Sequence, residues 1–500
     1  MGLARETGEV TVEAHHAFVG NYYFVFGLGA EREERKRDVG RRDAIQGLGD
    51  RRGDSVSMGV VIEREVWEPK PISYVFLFAS CFVSISLRPF RSRSGGGAST
   101  APFLRFQRKF LLLYSLASVM EGLESVFGEY EYAHYGIKGE QMAMCLAAGA
   151  AAALFVGPFL GILSDVKGPR KACLLFCILH LLLGVLKSIS RHPSVWVASV
   201  CLSLASSVFS FCFETWMVTE HEKQGHRQDC LSDTFWLMTF FESASLVGSQ
   251  GLANLLFKDF DKGFFSPSAP AALLAIISIL YIRKEWNGCQ QQSVIGSYRK
   301  SFYAHVLNDR RIWLLLWSQS SIHFSMAVFW ILWAPTIVAD GREVHLSRLY
   351  PCFIGSRMLG STAFPWFFGG ISWLHNEEYL TAAYVVAGLF LLIVSYDYQE
   401  IGVLVMLFCV YHACVGFILP SLARLRTMYV PNELRGAMIS FSLAPASAAV
   451  LLALIQGGYR QNLANAMIMA LAALGLLAAA GCIHLLTLWR KQPRPNWHKP

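Results

Sequence analysis

An all-α membrane protein with many spans is the fold class that the sequence predicts, and three observations predict it. Hydrophobic residues make up 54% of the 500-residue chain and charged residues 16%, with a mean hydropathy of +0.38, a balance outside that of water-soluble domains. The apolar runs are continuous over about 17 to 25 residues, enough for a helix to cross a ~30 Å hydrocarbon core. A membrane β-barrel would instead show alternating segments of about 10 residues. The 35 Phe, 13 Trp and 41 Gly suit interfacial belts and close helix packing in lipid.

The net charge of +8 sits in short loops. It does not form a basic face interleaved with aromatics, which argues against a nucleic-acid binder. Most of the 12 Cys lie inside apolar runs, where a thiol acts as a small hydrophobe rather than half of a disulfide framework. Cys173 and Cys177 share a helix face, but no His or carboxylate joins them, so no metal is expected there. No cofactor is expected either.

Residues 1–57 come first and differ from the rest. The tract "AEREERKRDVGRRDAIQGLGDRRGD" is Arg-rich and mixed in charge and cannot build a core, so the segment reads as a disordered extension. The apolar "AFVGNYYFVFGLGA" before it is too short to span. Met58 has the context of a natural start. A chain begun at Met58 is therefore expected to insert and work as the whole chain does; loss of membrane insertion on that truncation would show that the extension is needed.

Residues 58–107 hold a leading transmembrane helix (72–88) and a basic loop. Residues 108–282 hold spans at 108–127, 141–164, 171–189, 195–219, 234–257 and, more weakly, 269–282. A polar, basic linker follows at 283–311. The second group, 312–489, has spans at 312–338, 346–373, 378–396, 401–422, 433–457 and 464–489, and residues 490–500 form a tail. Six spans before a linker and six after it is the rhythm of internally repeated carriers. Arg105, Arg108 and Lys109, then Lys167, Arg170 and Lys171, then the linker and the tail all fall on one side if the spans alternate. The excess of Lys and Arg makes that side cytosolic and puts the N-terminus outside or in a lumen.

Between the second and third spans of the first group stands "GILSDVKGPRKACLL", residues 161–175. A basic inside loop explains Arg170 and Lys171, but not the acid or the two glycines. Gly161 and Gly168 permit a tight turn and close helix approach. Asp165, at a helix end, suits a positive helix N-terminus, and "VPNELRG" at 430–436 offers one from the other half. The pattern resembles the signature loop of the major facilitator superfamily. The resemblance implies two six-helix bundles around a central cavity, with Gly161, Asp165, Gly168, Arg170 and Lys171 as a conformational latch. The equivalent stretch in the second half, "GGISWLHNEEYL", has no Asp, so the latch is one-sided. "FLRFQ" (103–107), "FETWMVTEH" (213–221), "DTFWLMTFFES" (233–243) and "GFILPSLARLR" (416–426) further resemble the molybdate-anion transporter family, in a plant-like version. The likeness runs from about Met58 to the end of the last span.

Ionisable groups inside a membrane are costly and mark a pathway. At 1.5 Å per residue, eleven residues into a span reaches about 16 Å, near the middle of the core. His323, Arg357 and His412 fall near that depth, Glu121 close to it, and Glu242 somewhat shallower. Lys187 is nearer a helix end and is expected to snorkel. Tyr114, Ser118, Glu121 and Ser125 form one polar helix stripe, and Ser203, Ser207, Ser210, Glu214 and His221 another. Gln319 and His323 share a face. Interhelical packing accounts for most of the serines but not for Glu121 or Glu214. The substrate-binding or coupling candidates are thus Glu121, Glu214, Glu242, Gln319, His323, Arg357 and His412.

The expected function is a non-enzymatic secondary transporter in a multi-pass membrane, the plasma membrane before an internal one, moving an inorganic oxyanion such as molybdate, with protons as a candidate coupling ion. The sequence has no G-x-x-x-x-G-K-[ST] loop for ATP and no HExxH or GxSxG motif. The rival readings are a proton-coupled carrier of organic solutes and a nutrient sensor with a transporter's fold.

Overall fold

The computed structural model describes residues 67–87, 100–134, 139–189, 195–225, 228–260, 268–285, 298, 302–303, 309–338, 342, 344–369, 376–396, 400–459 and 465–491. The 1–57 extension and most of the linker and tail lie outside these residues. The helices are α1 (Pro71–Ser86), α2 (Thr100–His134), α3 (Gly139–Lys167), α4 (Pro169–Ile189), α5 (Val195–Lys223), α6 (Gln228–Phe260), α7 (Ala269–Glu285), α8 (Arg310–Ile337), α9 (Leu346–Gly369), α10 (Asn376–Ser395), α11 (Ile401–Tyr429), α12 (Arg435–Tyr459) and α13 (Asn465–Lys491). In lipid a backbone must satisfy its own hydrogen bonds, and a helix does so within one segment.

Among the described residues, eight helices are long and apolar enough to cross a membrane: α3, α4, α5, α8, α10, α11, α12 and α13. Among those falling short are α2, α6 and α9, which carry Glu121, Glu124, Glu242 and Arg357. Phe155, Phe159, Leu255 and Leu471 are more than half exposed, as side chains facing lipid would be. The chain is an integral multi-pass membrane protein.

Helix boundaries follow local chemistry. Gly168 alone separates α3 from α4; its φ of +102° is open to glycine, its N–H caps Ser164 O at 2.8 Å, and Pro169 starts the next helix. Asp309 caps α8 by accepting from Arg311 N at 2.9 Å.

Helices α2–α7 form one bundle and α8–α13 the other, with matching internal pairings. The neighbours α2·α6, α2·α7, α3·α5, α4·α5 and α4·α7 in the first recur as α8·α12, α8·α13, α9·α11, α10·α11 and α10·α13 in the second. The halves meet along two seams related by the same exchange, α3 on α12 and α6 on α9.

The 16 residues of α1 lie outside both bundles along α9. Tyr74 donates to Arg348 O at 2.5 Å, and Leu77 and Phe78 flank Gly355. Trp366 Nε1 donates to Ser84 O at 3.2 Å. At 1.5 Å per residue α1 is about 24 Å long, shorter than the other helices.

Close approach within the second bundle depends on glycine. A Cβ on Gly360 would stand 1.9 Å from Ala413 O, and one on Gly416 2.0 Å from Arg357 O. Both obstacles are backbone atoms and cannot rotate away. Gly360→Ala is expected to destabilise the protein by about 1–3 kcal/mol through overpacking, visible as a lower melting temperature of the purified protein.

Candidate functional site

Three groups of buried charged side chains organise the interior. The first joins the two halves at the ends next to the linker. Asp165, on the last turns of α3, accepts from Gly436 N at 2.9 Å and from Ala437 N at 2.8 Å. These are N–H groups of the first turn of α12, where the helix leaves donors free and its dipole is positive. Gly161 makes the approach possible, since a Cβ there would stand 2.0 Å from Ser440 Oγ and 2.7 Å from Gly436 O. Arg170 is half-buried and Lys171 exposed. Tyr298, from the linker, is buried close to Asp165; burial first and the carboxylate second push its hydroxyl pKa up.

Beside this contact, Glu214 of α5 binds two arginines of the other half. Arg426 Nε donates to Glu214 Oε1 at 2.8 Å, its Nη2 pairs with Oε2, and Arg435 Nη1 reaches Oε1 at 3.2 Å. Arg435 also donates to Asn432 Oδ1 at 3.1 Å, and Asn432 donates to Glu222 Oε2 at 2.6 Å. Glu214 is thus near the linker-side ends, because Arg435 is the first residue of α12. His323 of α8 lies within the field of Arg426 and Glu214.

The second group is deeper, on the α6–α9 seam. Arg357 of α9 pairs through Nη2 with Glu242 of α6 and donates from Nε to Ser243 Oγ at 3.0 Å. Tyr114 of α2 donates to the other oxygen of Glu242 at 2.5 Å. Arg357 is buried, whereas Glu242 keeps 23% of its side chain exposed. His412 of α11 is fully buried against Phe329 (centroids 4.4 Å apart), Trp330, Phe353 and Tyr411. Neither of its ring nitrogens, nor either amide atom of buried Gln319, has a hydrogen-bond partner within the described structure. His412 adds polar capacity to an otherwise aromatic wall.

The third group lies inside the first bundle. Lys187 of α4 donates to Glu124 Oε2 of α2 at 2.9 Å, and both are buried. His180 of α4 stands 4.0 Å from Glu121 Oε1. The expectation that Lys187 snorkels is therefore corrected: a buried carboxylate one turn beyond Glu121 holds it inside.

Of the seven binding or coupling candidates, Glu242 and Arg357 meet, Glu214 lies on the linker side, with His323 in the field of its ion pair, Glu121 belongs to the third group, and Gln319 and His412 are buried without a hydrogen-bond partner within the described structure. Sequence reasoning did not single out Arg426, Arg435, Ser243, His180 or Glu124 as site residues. Arg426 and Arg435 stand in motifs that were noticed, "GFILPSLARLR" and "VPNELRG", and were absorbed there as pattern. The i, i+3 pair Glu121/Glu124 and the two-turn spacing of His180 and Lys187 were the signals for the third group.

Comparison with known proteins places the chain. The family model described as sugar transporters with 12 TM, MFS_5, matches residues 73–409. A molybdate-anion transporter of Xenopus laevis is 26% identical over 277 residues, covering 55% of this chain and 60% of that protein. One of Takifugu rubripes is 25% identical over 317 residues, covering 58% of this chain and 66% of that protein. The chain thus spans about 60% of the length of the curated relatives it matches. The crystal structure of a bacterial homologue of the iron transporter ferroportin in an outward-facing state superposes with a TM-score of 0.61 at 14% identity, covering 78% of this chain and all of that one; this likeness speaks for the fold alone. With the family model covering well over half of its length, the chain belongs to the MFS_5 family of the major facilitator superfamily.

Proposed function

We propose that the protein is a secondary transporter that carries an inorganic oxyanion, molybdate first, by alternating access across the plasma membrane. The observation that carries this reading is Arg357, a buried guanidinium on the seam between the halves, tied to a partly exposed carboxylate. Arg is always protonated, and its planar fork suits a tetrahedral oxyanion. Glu242 then acts as a stand-in for the substrate: it satisfies Arg357 in the empty carrier and yields when the dianion arrives. Gln319 and His412 supply further polar groups. The names of the relatives support the same substrate.

The linker-side contacts supply the gate. In this reading Asp165 and the first turn of α12, with Glu214, Arg426 and Arg435, hold the cytosolic ends together in one state and part in the other. Opening the carrier to the cytosol requires separating the Asp165 carboxylate from two N–H donors and the Glu214 carboxylate from two guanidinium groups, a cost that substrate binding offsets.

A second reading, a proton-coupled carrier of organic solutes, draws on the family's description as sugar transporters. Uptake into vesicles holding the purified protein separates the readings. Radiolabelled molybdate is expected to accumulate, sulfate to compete more weakly, and sugars to have no effect. Accumulation of a sugar with no molybdate uptake would establish the second reading. Binding of molybdate without accumulation would point to a sensor.

A further inference from the structure

We infer that Glu121 and His180, backed by the Glu124–Lys187 pair, form an exchangeable proton site inside the first bundle, separate from the Arg357–Glu242 seam. The inference rests on the anion-carrier reading for its coupling role, but not for the site itself.

Glu124 and Lys187 are buried and bonded at 2.9 Å, and an ion pair so close is neutral as a unit. Glu121 and His180 remain. His180 is fully buried, and neither of its ring nitrogens has a hydrogen-bond partner within the described structure. Its Nε2 is turned toward Glu121 Oε1, 4.0 Å away, and that oxygen is likewise buried and unpartnered. Without an added proton the four groups carry one net negative charge in a low-dielectric interior. One proton, on either Glu121 or His180, brings the sum to zero. An unpartnered buried polar group is costly, and a shared proton would let Glu121 Oε1 and His180 Nε2 close from 4.0 Å to hydrogen-bond distance, giving each a partner.

The surroundings favour a proton over a metal cation. No three His, Cys, Asp or Glu groups among the described residues converge to hold a metal ion, and the Lys187 ammonium, bonded to Glu124 Oε2, would repel a cation beside that carboxylate, whose Oε1 is left without a hydrogen-bond partner within the described structure. The charged groups acting on the cluster are few. Glu124 and, from α6, Glu242 act on Glu121, and Glu124 and Lys187 act on His180. Helix α7, packed against α2 and α4, contributes buried Ala271, Ala275 and Ser278. Phe176 covers His180 edge-on at 4.6 Å, with Phe209 of α5 behind it. The titratable thiols of Cys173, Cys177 and Cys212 lie nearby and interact with one another.

Access and coupling follow from the gradient of exposure. Side-chain exposure falls from 15% at Glu121 to 4% at Lys187, 1% at Glu124 and none at His180. Glu121 is therefore the mouth of the site, on the side from which the field of Glu242 reaches it. A proton at Glu121 removes a negative charge that would oppose entry of a dianion at Arg357. Proton and anion each favour the other's binding, and the linkage is reciprocal.

Two measurements test this. The first needs no substrate: infrared difference spectroscopy of the reconstituted protein across neutral pH should show a protonated carboxyl band that titrates. Glu121→Gln should remove it. His180→Gln should shift the titration. Lys187→Gln alone risks misfolding because it leaves Glu124 buried and unpaired, so the double change Glu124→Gln with Lys187→Met is the control and should keep the band. A band unchanged in Glu121→Gln overturns the site. The second measurement uses vesicles and labelled molybdate. Wild type should accumulate the ion under a pH gradient, and Glu121→Gln should lose that accumulation while still exchanging molybdate against a preloaded interior. Full gradient-driven accumulation by Glu121→Gln overturns the coupling role. A wild type that carries no molybdate but shows the titrating band would refute the anion reading and leave the proton site standing.

Discussion

Arg357→Gln is expected to abolish molybdate binding in a protein that still inserts and folds. The guanidinium of Arg357 is buried and held in place by Ser243 as well as by Glu242, so its position is fixed before an anion arrives. Truncating one partner of a desolvated charge pair costs about 2–5 kcal/mol, roughly 30- to several-thousand-fold in the dissociation constant. Part of the damage is indirect, since Gln leaves Glu242 facing the site uncompensated, where it repels the dianion. The double change Arg357→Gln with Glu242→Gln removes that repulsion. It is expected to restore stability but not binding. Glu242→Gln alone should act in the opposite direction: Arg357 loses its competitor, and molybdate should bind more tightly while the protein becomes less stable. Isothermal titration on the purified variants reads all three. A folded Arg357→Gln protein with unchanged affinity would remove the arginine from the site and leave helix N-termini and neutral donors to hold the ion.

The legibility of this protein from its sequence was uneven for physical reasons. The bundle architecture was readable because lipid allows few alternatives: a run of about 20 apolar residues in a polytopic chain is a helix, and the pairing of α2·α6 with α8·α12 repeats what the two groups of six imply. Single-residue depth was less readable. Glu214 and Glu121 both sit on polar stripes, yet one binds Arg426 and Arg435 near the ends of the bundles and the other faces His180 inside one of them. Periodicity gives a helix face, not the neighbour that the face meets, and these partners come from helices more than fifty residues away in sequence. Lys187 illustrates the same limit. Its place near a helix end favours snorkelling, and only the fold brings Glu124 of α2 against it. Asp165 was legible as a helix-end acid, whereas the Cβ-free gap at Gly161 beneath Ser440 belongs to a contact between halves.

Asp165→Asn is expected to weaken the linker-side contact and slow transport while leaving molybdate affinity within a few-fold of wild type. The carboxylate accepts from Gly436 N and Ala437 N, one with each oxygen, so its negative charge sits at the positive end of α12. Asn keeps one acceptor and turns an NH2 toward the second N–H, so one hydrogen bond is lost and two donors face each other. Loss of such a capping charge costs about 1–2 kcal/mol, a shift of roughly 5- to 30-fold in the balance between the closed and open linker-side states. Spin labels at the linker-side ends of α3 and α12, read by pulsed electron resonance, should show the longer distance gaining population in the variant. The rate falls because a carrier resting in the open state must close again before each return step. Asp165→Glu is the sharper control: it restores the charge but adds a methylene beside the close approach of Gly161 and Ser440, and so should recover the closed state only in part. If Asp165→Asn instead destroyed equilibrium molybdate binding and left the distance distribution unchanged, Asp165 would be a binding residue and the gate would rest on Glu214, Arg426 and Arg435 alone.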